Sequence, residues 1–292
     1  MEAVLAEAVV GLPDPRLRPY VDRYLGYRER VPHLLARREA AGAFVVLILG
    51  WGDPMDVVDH RHAGRGAYGV DSFVAGPFDA YCTTRTAGLG VGVQVLLSPP
   101  AARRVLGVPL GELTNRAVPA DRVPGGAGRG RRDEGWLGRL RDRLAQAPDW
   151  PRRFALLDAA LADRLADAVP VDPALAGAWR LLAGSRGRIG VAELAAEVGW
   201  SRGHLAGRFR RELGLPPKSV ARLLRFQAAY ASLGRELIAA PGVAPVHGDG
   251  WAELAVRCGY YDQSHLIREF REFTGESPTG LTVAGRHSSN PG

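Results

Sequence analysis

The C-terminal third of the chain contains an internal repeat, and this repeat limits the possible folds more than any other feature of the sequence. Residues 191–200 read VAELAAEVGW and residues 251–260 read WAELAVRCGY, so Ala, Glu, Leu, Ala and Gly coincide at an offset of 60 positions. After one inserted residue in the second copy, His-Leu, Phe-Arg, Gly and Pro recur in the same order. Chance in an alanine-rich composition explains the first few matches but not the whole ordered set. We therefore expect two copies of one supersecondary unit.

Each copy has the pattern of a helix, a tight turn and a second helix. In the first copy, Leu194, Ala195 and Val198 form the apolar stripe of a short helix. Gly199 follows, where a positive φ is needed, and Ser201 supplies a side-chain oxygen that caps the next helix. The equivalent residues of the second copy are Leu254, Ala255, Cys258, Gly259 and Asp262.

The second helix of each copy, which we call the reader helix, has its own buried face. Leu205 and Phe209 lie four positions apart in the first reader helix, as do Leu266 and Phe270 in the second. Residues 216–239 between the copies predict one helix of some twenty residues, which is about 30 Å long. That length is close to one turn of B-DNA, so the two reader helices have the spacing of two successive major-groove segments.

Residues 173–284 resemble the DNA-binding domain of the AraC/XylS family of transcription regulators. The most specific motif is CGYYDQSHLIREFREFTG over residues 258–275, followed by Ser-Pro, and the motif over residues 199–217 is nearly as specific. The resemblance covers a little over a third of the chain. It implies seven helices in two subdomains, with each reader helix in a major groove. Family members usually carry an N-terminal effector or dimerisation domain, which fits the layout here without identifying a ligand.

The predicted fold class is α+β, a mixed arrangement of a β-rich, sensor-like N-terminal domain and an all-α DNA-binding domain. The effector or dimerisation domain spans residues 1–125, a helical connector spans 126–171, and the AraC-type domain spans 172–292. Within the last, the two helix-turn-helix units and their linker helix occupy residues 191–214, 251–275 and 216–239. Strands are predicted over residues 44–50, 71–75 and 89–97, a short helix over 100–106, a mobile loop over 123–132, and two helices between 134 and 168.

The faces of the reader helices that point away from the buried stripes are the predicted DNA-binding surfaces. In the first unit these residues are Ser201, Arg202, Gly203, Ala206, Gly207, Arg210 and Arg211. In the second unit they are Gln263, Ser264, Ile267, Arg268 and Arg271.

The two surfaces differ in the chemistry that they offer to a base pair. Arg268 and Gln263 are able to make bidentate contacts to guanine and adenine edges. The small residues Gly203, Ala206 and Gly207 are not, and the family usually has a long polar side chain at Gly207. We therefore expect the first reader helix to work through shape, a thymine-methyl contact from Ala206, and phosphate contacts. The arginines available for those contacts are Arg202, Arg208, Arg210 and Arg211.

Each of these residues also fits a solvent-exposed or purely structural role. Any of these arginines could belong to a solvated face, and Lys218, Arg222 and Arg225 of the linker helix fit structural roles equally well. His204 and His265 recur in both copies, either as phosphate contacts or as partly buried packing residues. The net charge of +7 adds little, because arginine excess also follows from a GC-rich genome.

The N-terminal part of the sequence contains no complete set of catalytic or metal-ligating residues. The histidines and carboxylates of residues 53–62 favour a turn over a metal site, and Cys82 alone is a poor candidate nucleophile. We therefore expect no enzyme activity and no cofactor. The aromatic side chains there are expected to pack in a core or to line a pocket, namely Phe44, Trp51, Phe73, Phe78 and Tyr81.

The sequence thus predicts a DNA-binding transcription regulator whose partners are double-stranded DNA, RNA polymerase, a small-molecule effector and a second copy of the chain. No apolar run reaches the roughly 18 residues that span a bilayer, and no signal peptide is recognisable, so we expect a cytoplasmic protein without membrane contact. Two other classes stay open. One is a metal- or small-molecule-dependent enzyme or sensor fused to a DNA-binding module, and the other is an architectural DNA binder without sequence preference.

Overall fold

An antiparallel sheet forms the N-terminal part of the computed structural model, which describes residues 6–123, 135–239 and 249–281. Its strands are β1 Ala6–Gly11, β2 Val21–Glu39, β3 Val45–Gly50, β4 Met55–Val58, β5 Ala67–Val70, β6 Phe73–Ala75, β7 Cys82–Leu97 and β8 Ala117–Pro119. The main path of the sheet is β1-β2-β7-β3-β6-β8, and β4 pairs with both β5 and β7.

Strand β3 is buried on both faces, which explains its nearly continuous apolar sequence. Val45, Leu47 and Leu49 face a core shared with helices, and Ile48 faces a second, smaller core beneath β4 and β5. The predicted strand over residues 44–50 is thereby confirmed to within one residue.

Strand β2 was not predicted, and β7 is longer than the predicted strand over residues 89–97. The two strands pair with each other along most of their length. β2 is rich in arginine and glutamate and shows only Val21, Tyr24 and Val31 as buried apolar residues. Its register shifts between Val31 and Leu35, where Pro32 is unable to donate a ladder hydrogen bond. The strand therefore lacks the apolar alternation by which a half-buried strand is recognised.

Three helices, α1 Pro99–Leu106, α2 Trp136–Gln146 and α3 Trp150–Asp167, cover one face of the sheet. Asp149 caps α3 by accepting a hydrogen bond from the Arg152 amide at 2.8 Å. Trp150 lies against strand β2 at Gly26, where a Cβ atom would meet the indole at 2.5 Å. Apart from Val123, the predicted loop over residues 123–132 lies outside the described residues.

The C-terminal part is helical. It contains α4 Pro173–Gly184, α5 Val191–Glu197, α6 Arg202–Arg208, a π-helical turn Phe209–Leu213, α7 Pro217–Ala239, α8 Asp249–Arg257 and α9 Gln263–Thr274, and a further turn over residues 278–281. Its core includes Ala41 and Ala43 from the segment that joins β2 to β3. The α+β fold class is confirmed, and the sheet and the helices share apolar contacts. Among the described residues, no helix is long and apolar enough to cross a membrane.

Candidate nucleic-acid interface

The first helix-turn-helix unit consists of α5, a turn, and a first reader helix made of α6 and the π-helical turn. Gly199 in the turn has a φ of 69°, which an L side chain adopts only with strain. Ser201 Oγ then accepts a hydrogen bond from the His204 amide at 3.2 Å, as expected of an N-cap residue. Leu205 and Phe209 are fully buried. The predicted turn and cap of this unit are confirmed.

The second unit repeats this construction with α8, a turn, and α9 as the second reader helix. Gly259 has a φ of 78°, and Asp262 Oδ1 accepts a hydrogen bond from the His265 amide at 2.7 Å. Leu266 and Phe270 are fully buried. Both units therefore present a capped helix N-terminus, the end of a recognition helix that usually contacts base edges.

Helix α7 joins the units, and its 23 residues make it about 34 Å long. Arg222 and Arg225 on this helix have structural partners. Arg222 donates hydrogen bonds to the carboxylates of Glu269 at 2.7 Å and Glu272 at 2.6 Å, and Arg225 donates to the Gly187 carbonyl at 2.8 Å. Of the two readings of these arginines, the structural one is therefore observed.

The predicted contact residues are mostly exposed on the two reader helices. Exposed residues are Ser201, Arg202, Gly203, Gly207, Arg210, Arg211, Ser264, Arg268 and Arg271. Ala206, Gln263 and Ile267 are half-buried, and Ile267 packs against the core. The prediction that Ile267 points away from the core is wrong, because the apolar face of α9 is wider than the stripe defined by Leu266 and Phe270. Contact with DNA stays a prediction at all of these positions.

Two of the four arginines proposed as phosphate contacts have acidic partners within the chain. Arg208 lies 3.3 Å from Asp172 and above the ring of Trp200, and Arg211 lies 2.9 Å from Glu212. Arg208 therefore links the first reader helix to the start of α4, and its role as a phosphate contact stays a prediction. Arg202 and Arg210 have no acidic partner within the part of the chain that the structure describes.

The two repeated histidines have different surroundings. His204 is exposed, and its ring meets the edge of Trp200 at 4.7 Å. His265 is half-buried, with Nε2 3.2 Å from the Glu269 carboxylate and its ring 5.2 Å from Tyr260. The phosphate reading stays open for His204, whereas His265 is a packing residue.

Tyr261 was missed by the sequence analysis. It is 90% exposed, the largest value among the exposed large apolar and aromatic side chains of the described residues. It directly precedes Asp262, the cap of the second reader helix, and it is the residue inserted in the second copy of the repeat. The inserted residue thus places an exposed aromatic ring at the tip of the second reader helix, whereas Trp200, which directly precedes the cap of the first, is half-buried.

The N-terminal part contacts the C-terminal ends of both reader helices. Thr114 Oγ1 donates a hydrogen bond to the Gly214 carbonyl at 2.7 Å. Arg103 Nε donates to Glu212 Oε2 at 2.9 Å. Burial raises the pKa of Glu212, but the hydrogen bonds from Arg103 and Arg211 outweigh burial and hold that pKa below its usual range. At the second unit, the Ala41 amide donates to the Phe273 carbonyl at 2.8 Å. These contacts leave the capped ends of both reader helices uncovered.

Three of the candidate metal-binding groups of the N-terminal part have structural partners. Asp53 accepts a hydrogen bond from the Leu89 amide, Asp56 accepts one from the Gly69 amide, and His60 stacks on Tyr81. Within residues 6–123, 135–239 and 249–281, no three metal-ligating side chains lie together. Burial raises the pKa of Cys82 to about 12, which keeps the thiol protonated and a poor nucleophile at neutral pH.

The five aromatic side chains do not share one pocket. Phe73 and Phe78 are buried in the smaller core, Phe44 meets the edge of Trp179 in the C-terminal part, and Trp51 lies beside Trp150. Core packing is therefore observed for Phe44, Phe73 and Phe78. Trp51 instead lines a cavity with Trp150, and the half-buried Tyr81 stacks on His60.

Comparison with known families finds a match within the helical C-terminal part. A family model described as a helix-turn-helix domain matches residues 194–282, which begin inside α5 and extend past α9. The chain carries an AraC-type helix-turn-helix domain. This AraC-type domain places the chain among the DNA-binding transcription regulators. Comparison with curated proteins finds no match.

Among solved structures, the chain is similar to ToxT from Vibrio cholerae at 9% identity, with a TM-score of 0.48 over 95% of this chain and 98% of that chain. Wild-type ToxT with bound unsaturated fatty acid matches at 9% identity, with a TM-score of 0.44 over 97% of both chains. The AraC-like transcriptional activator CuxR matches at 13% identity, with a TM-score of 0.29 over 79% of this chain and 96% of that chain.

Proposed function

We propose that this protein is a sequence-specific transcription regulator whose single chain binds two successive major-groove segments of duplex DNA. The observation that carries the proposal is that one stiff linker helix of 23 residues holds two capped reader helices. The first reader helix ends directly before the linker, and the second packs on the linker at Arg222 and Phe226. The second reader helix supplies base-specific contacts, chiefly through Arg268. The first contributes shape and phosphate contacts, through Arg202 and Arg210.

The N-terminal domain is proposed to regulate DNA binding rather than to catalyse a reaction. Its contacts with the ends of both reader helices support this role, because any displacement of the sheet would reach both units. A small-molecule effector, a second copy of the chain and RNA polymerase are the proposed partners. Promoter output and oligomeric state, measured with and without cell-extract metabolites, test this part of the proposal.

Selection from random duplexes tests the main proposal. The full-length protein is expected to enrich one motif with two half-sites about ten base pairs apart. Full-length protein with Arg268→Ala serves as the matched variant and is expected to lose preference in one half-site only. Enrichment of no motif would identify an architectural DNA binder and overturn the proposal.

A further inference from the structure

The loop over residues 185–190, between α4 and α5, is held against the linker helix. Gly187 has a φ of 74°, and a Cβ atom there would overlap the carbonyl oxygen of Ala221. Arg225 donates a hydrogen bond to the Gly187 carbonyl at 2.8 Å. Arg186 has a φ of 53° although it is not glycine. A non-glycine residue keeps this conformation only where its surroundings enforce it, so the loop has one fixed shape.

This fixed loop presents two arginines to solvent beside the second helix-turn-helix unit. Arg186 and Arg188 are both exposed. The Arg188 side chain runs past Gly259, where a Cβ atom would lie 3.0 Å from Arg188 Cγ. Gly259 precedes Asp262, the cap of the second reader helix, by three residues. The loop that leads into the first unit thus lies next to the turn of the second unit.

The charge of these arginines is not neutralised within the described residues. Arg188 Nε donates to the Ser185 carbonyl at 3.1 Å, which satisfies one donor without cancelling the charge. No carboxylate of the described chain lies within ion-pair distance of Arg186 or Arg188. Both guanidinium groups therefore remain available to an anionic partner.

We propose that Arg186 and Arg188 bind the DNA phosphates between the two major-groove segments. The inference rests on the proposed function, since it requires both reader helices to engage one face of the duplex. In that arrangement the minor groove and its two phosphate strands cross the protein between the two units. The loop lies at the junction of those units, and its arginines add a contact that neither reader helix supplies.

The test is the salt dependence of DNA binding by full-length protein. Each phosphate contact contributes about −0.9 to the slope of log affinity against log salt concentration. Arg186→Ala/Arg188→Ala is expected to flatten the slope by about 1.8, and Arg188→Lys is expected to keep the wild-type slope because it keeps the charge. Arg143→Ala, at an exposed arginine of α2, is the matched control and should leave the slope unchanged.

A complementary change in the DNA separates charge contact from loop stabilisation. Methylphosphonate linkages between the two half-sites remove phosphate charge and should weaken wild-type binding at least tenfold. They should change binding of the double alanine variant far less, since it has already lost the contact. An unchanged slope in that variant, or equal sensitivity of both proteins to methylphosphonates, would overturn the inference. If wild-type protein selects no motif, it is instead the proposed function that fails.

Discussion

Arg222 Nε donates a hydrogen bond to the Glu269 carboxylate at 2.7 Å and thereby ties the linker helix to the second reader helix. Glu269 is only 1% exposed, although it lies in the middle of a helix assigned to a DNA groove. His265 Nε2 lies 3.2 Å from the same carboxylate oxygen. The position of the second reader helix on the linker therefore depends on a buried polar cluster as well as on apolar packing.

Removal of Arg222 should destabilise the protein strongly. Arg222→Ala leaves the Glu269 carboxylate buried without its main partner, which typically costs about 3 kcal/mol in the free energy of unfolding. The measurement is urea denaturation of the full-length protein. The double variant Arg222→Met/Glu269→Leu, which removes both charges and retains bulk, should recover most of that loss. Equal losses in the single and double variants would show that packing, and not the ion pair, holds the helix.

Local features of this fold were predictable from sequence, and features that depend on distant residues were not. Gly199 and Ser201 act within one turn of chain, so residue type and position were sufficient to assign the turn and its cap. The burial of Glu269 depends on Arg222, which is 47 positions away, and a helical-stripe analysis treats any glutamate as exposed. Strand β2 was missed because its buried side is set by pairing with β7 rather than by its own apolar pattern.

The two reader helices should respond differently to loss of an arginine. Arg268→Ala is expected to cost roughly 1–3 kcal/mol on the selected site and to relax preference at one base position, as loss of a bidentate contact would. Arg210→Ala should weaken binding to all sequences alike and flatten the salt slope by about 0.9. Titrations on selected and random duplexes distinguish the two. An equal loss for Arg268→Ala on both duplexes would make it a phosphate contact.

Tyr261 is expected to contact DNA with its exposed side chain. Tyr261→Ala should lower the affinity of the selected site by about 1.5 kcal/mol, the scale of a hydrogen bond to a charged phosphate oxygen. Thermal stability should not change, because the side chain is 90% exposed. Val256→Ala, at a residue that is 71% exposed on α8, is the matched control. If Tyr261→Ala binds DNA as the control does, the ring has no role in recognition.

Contact between the N-terminal part and the first reader helix should be sensitive to one methyl group. Gly111 lies in a 3-10 helical turn, Leu110–Leu113, of the N-terminal part. A Cβ atom there would lie 2.8 Å from the Arg210 carbonyl oxygen, so Gly111→Ala must displace this turn from the end of the first reader helix. We expect weaker binding to DNA with two half-sites and unchanged binding to a single half-site. Gly138→Ala is the control, since a Cβ atom there meets nothing within 4 Å. If Gly111→Ala also weakens binding to a single half-site, the substitution has damaged a reader helix itself.

The spacing between half-sites should be fixed by the linker helix. The first reader helix ends directly before this helix and the second packs on it at Arg222 and Phe226, so the two are held at one separation. We expect that separation to match one helical turn of DNA, on one face of the duplex. Inserting five base pairs between the half-sites rotates one groove about half a turn away. The second contact then requires bending the DNA, at a cost of about 1–6 kcal/mol, or melting the linker.

Inserting ten base pairs returns both half-sites to the same face of the duplex. It also increases the distance between them by about 34 Å, which the linker helix is unable to bridge. Both insertions should therefore reduce affinity to that of a single half-site, measured by titration of duplexes that differ only in the inserted segment. The first reader helix should be the one released, because Gly203 and Gly207 offer no side-chain hydrogen bond to a base. Full affinity after a ten-base-pair insertion would mean that two chains of a dimer bind the two half-sites, and the single-chain geometry would be wrong.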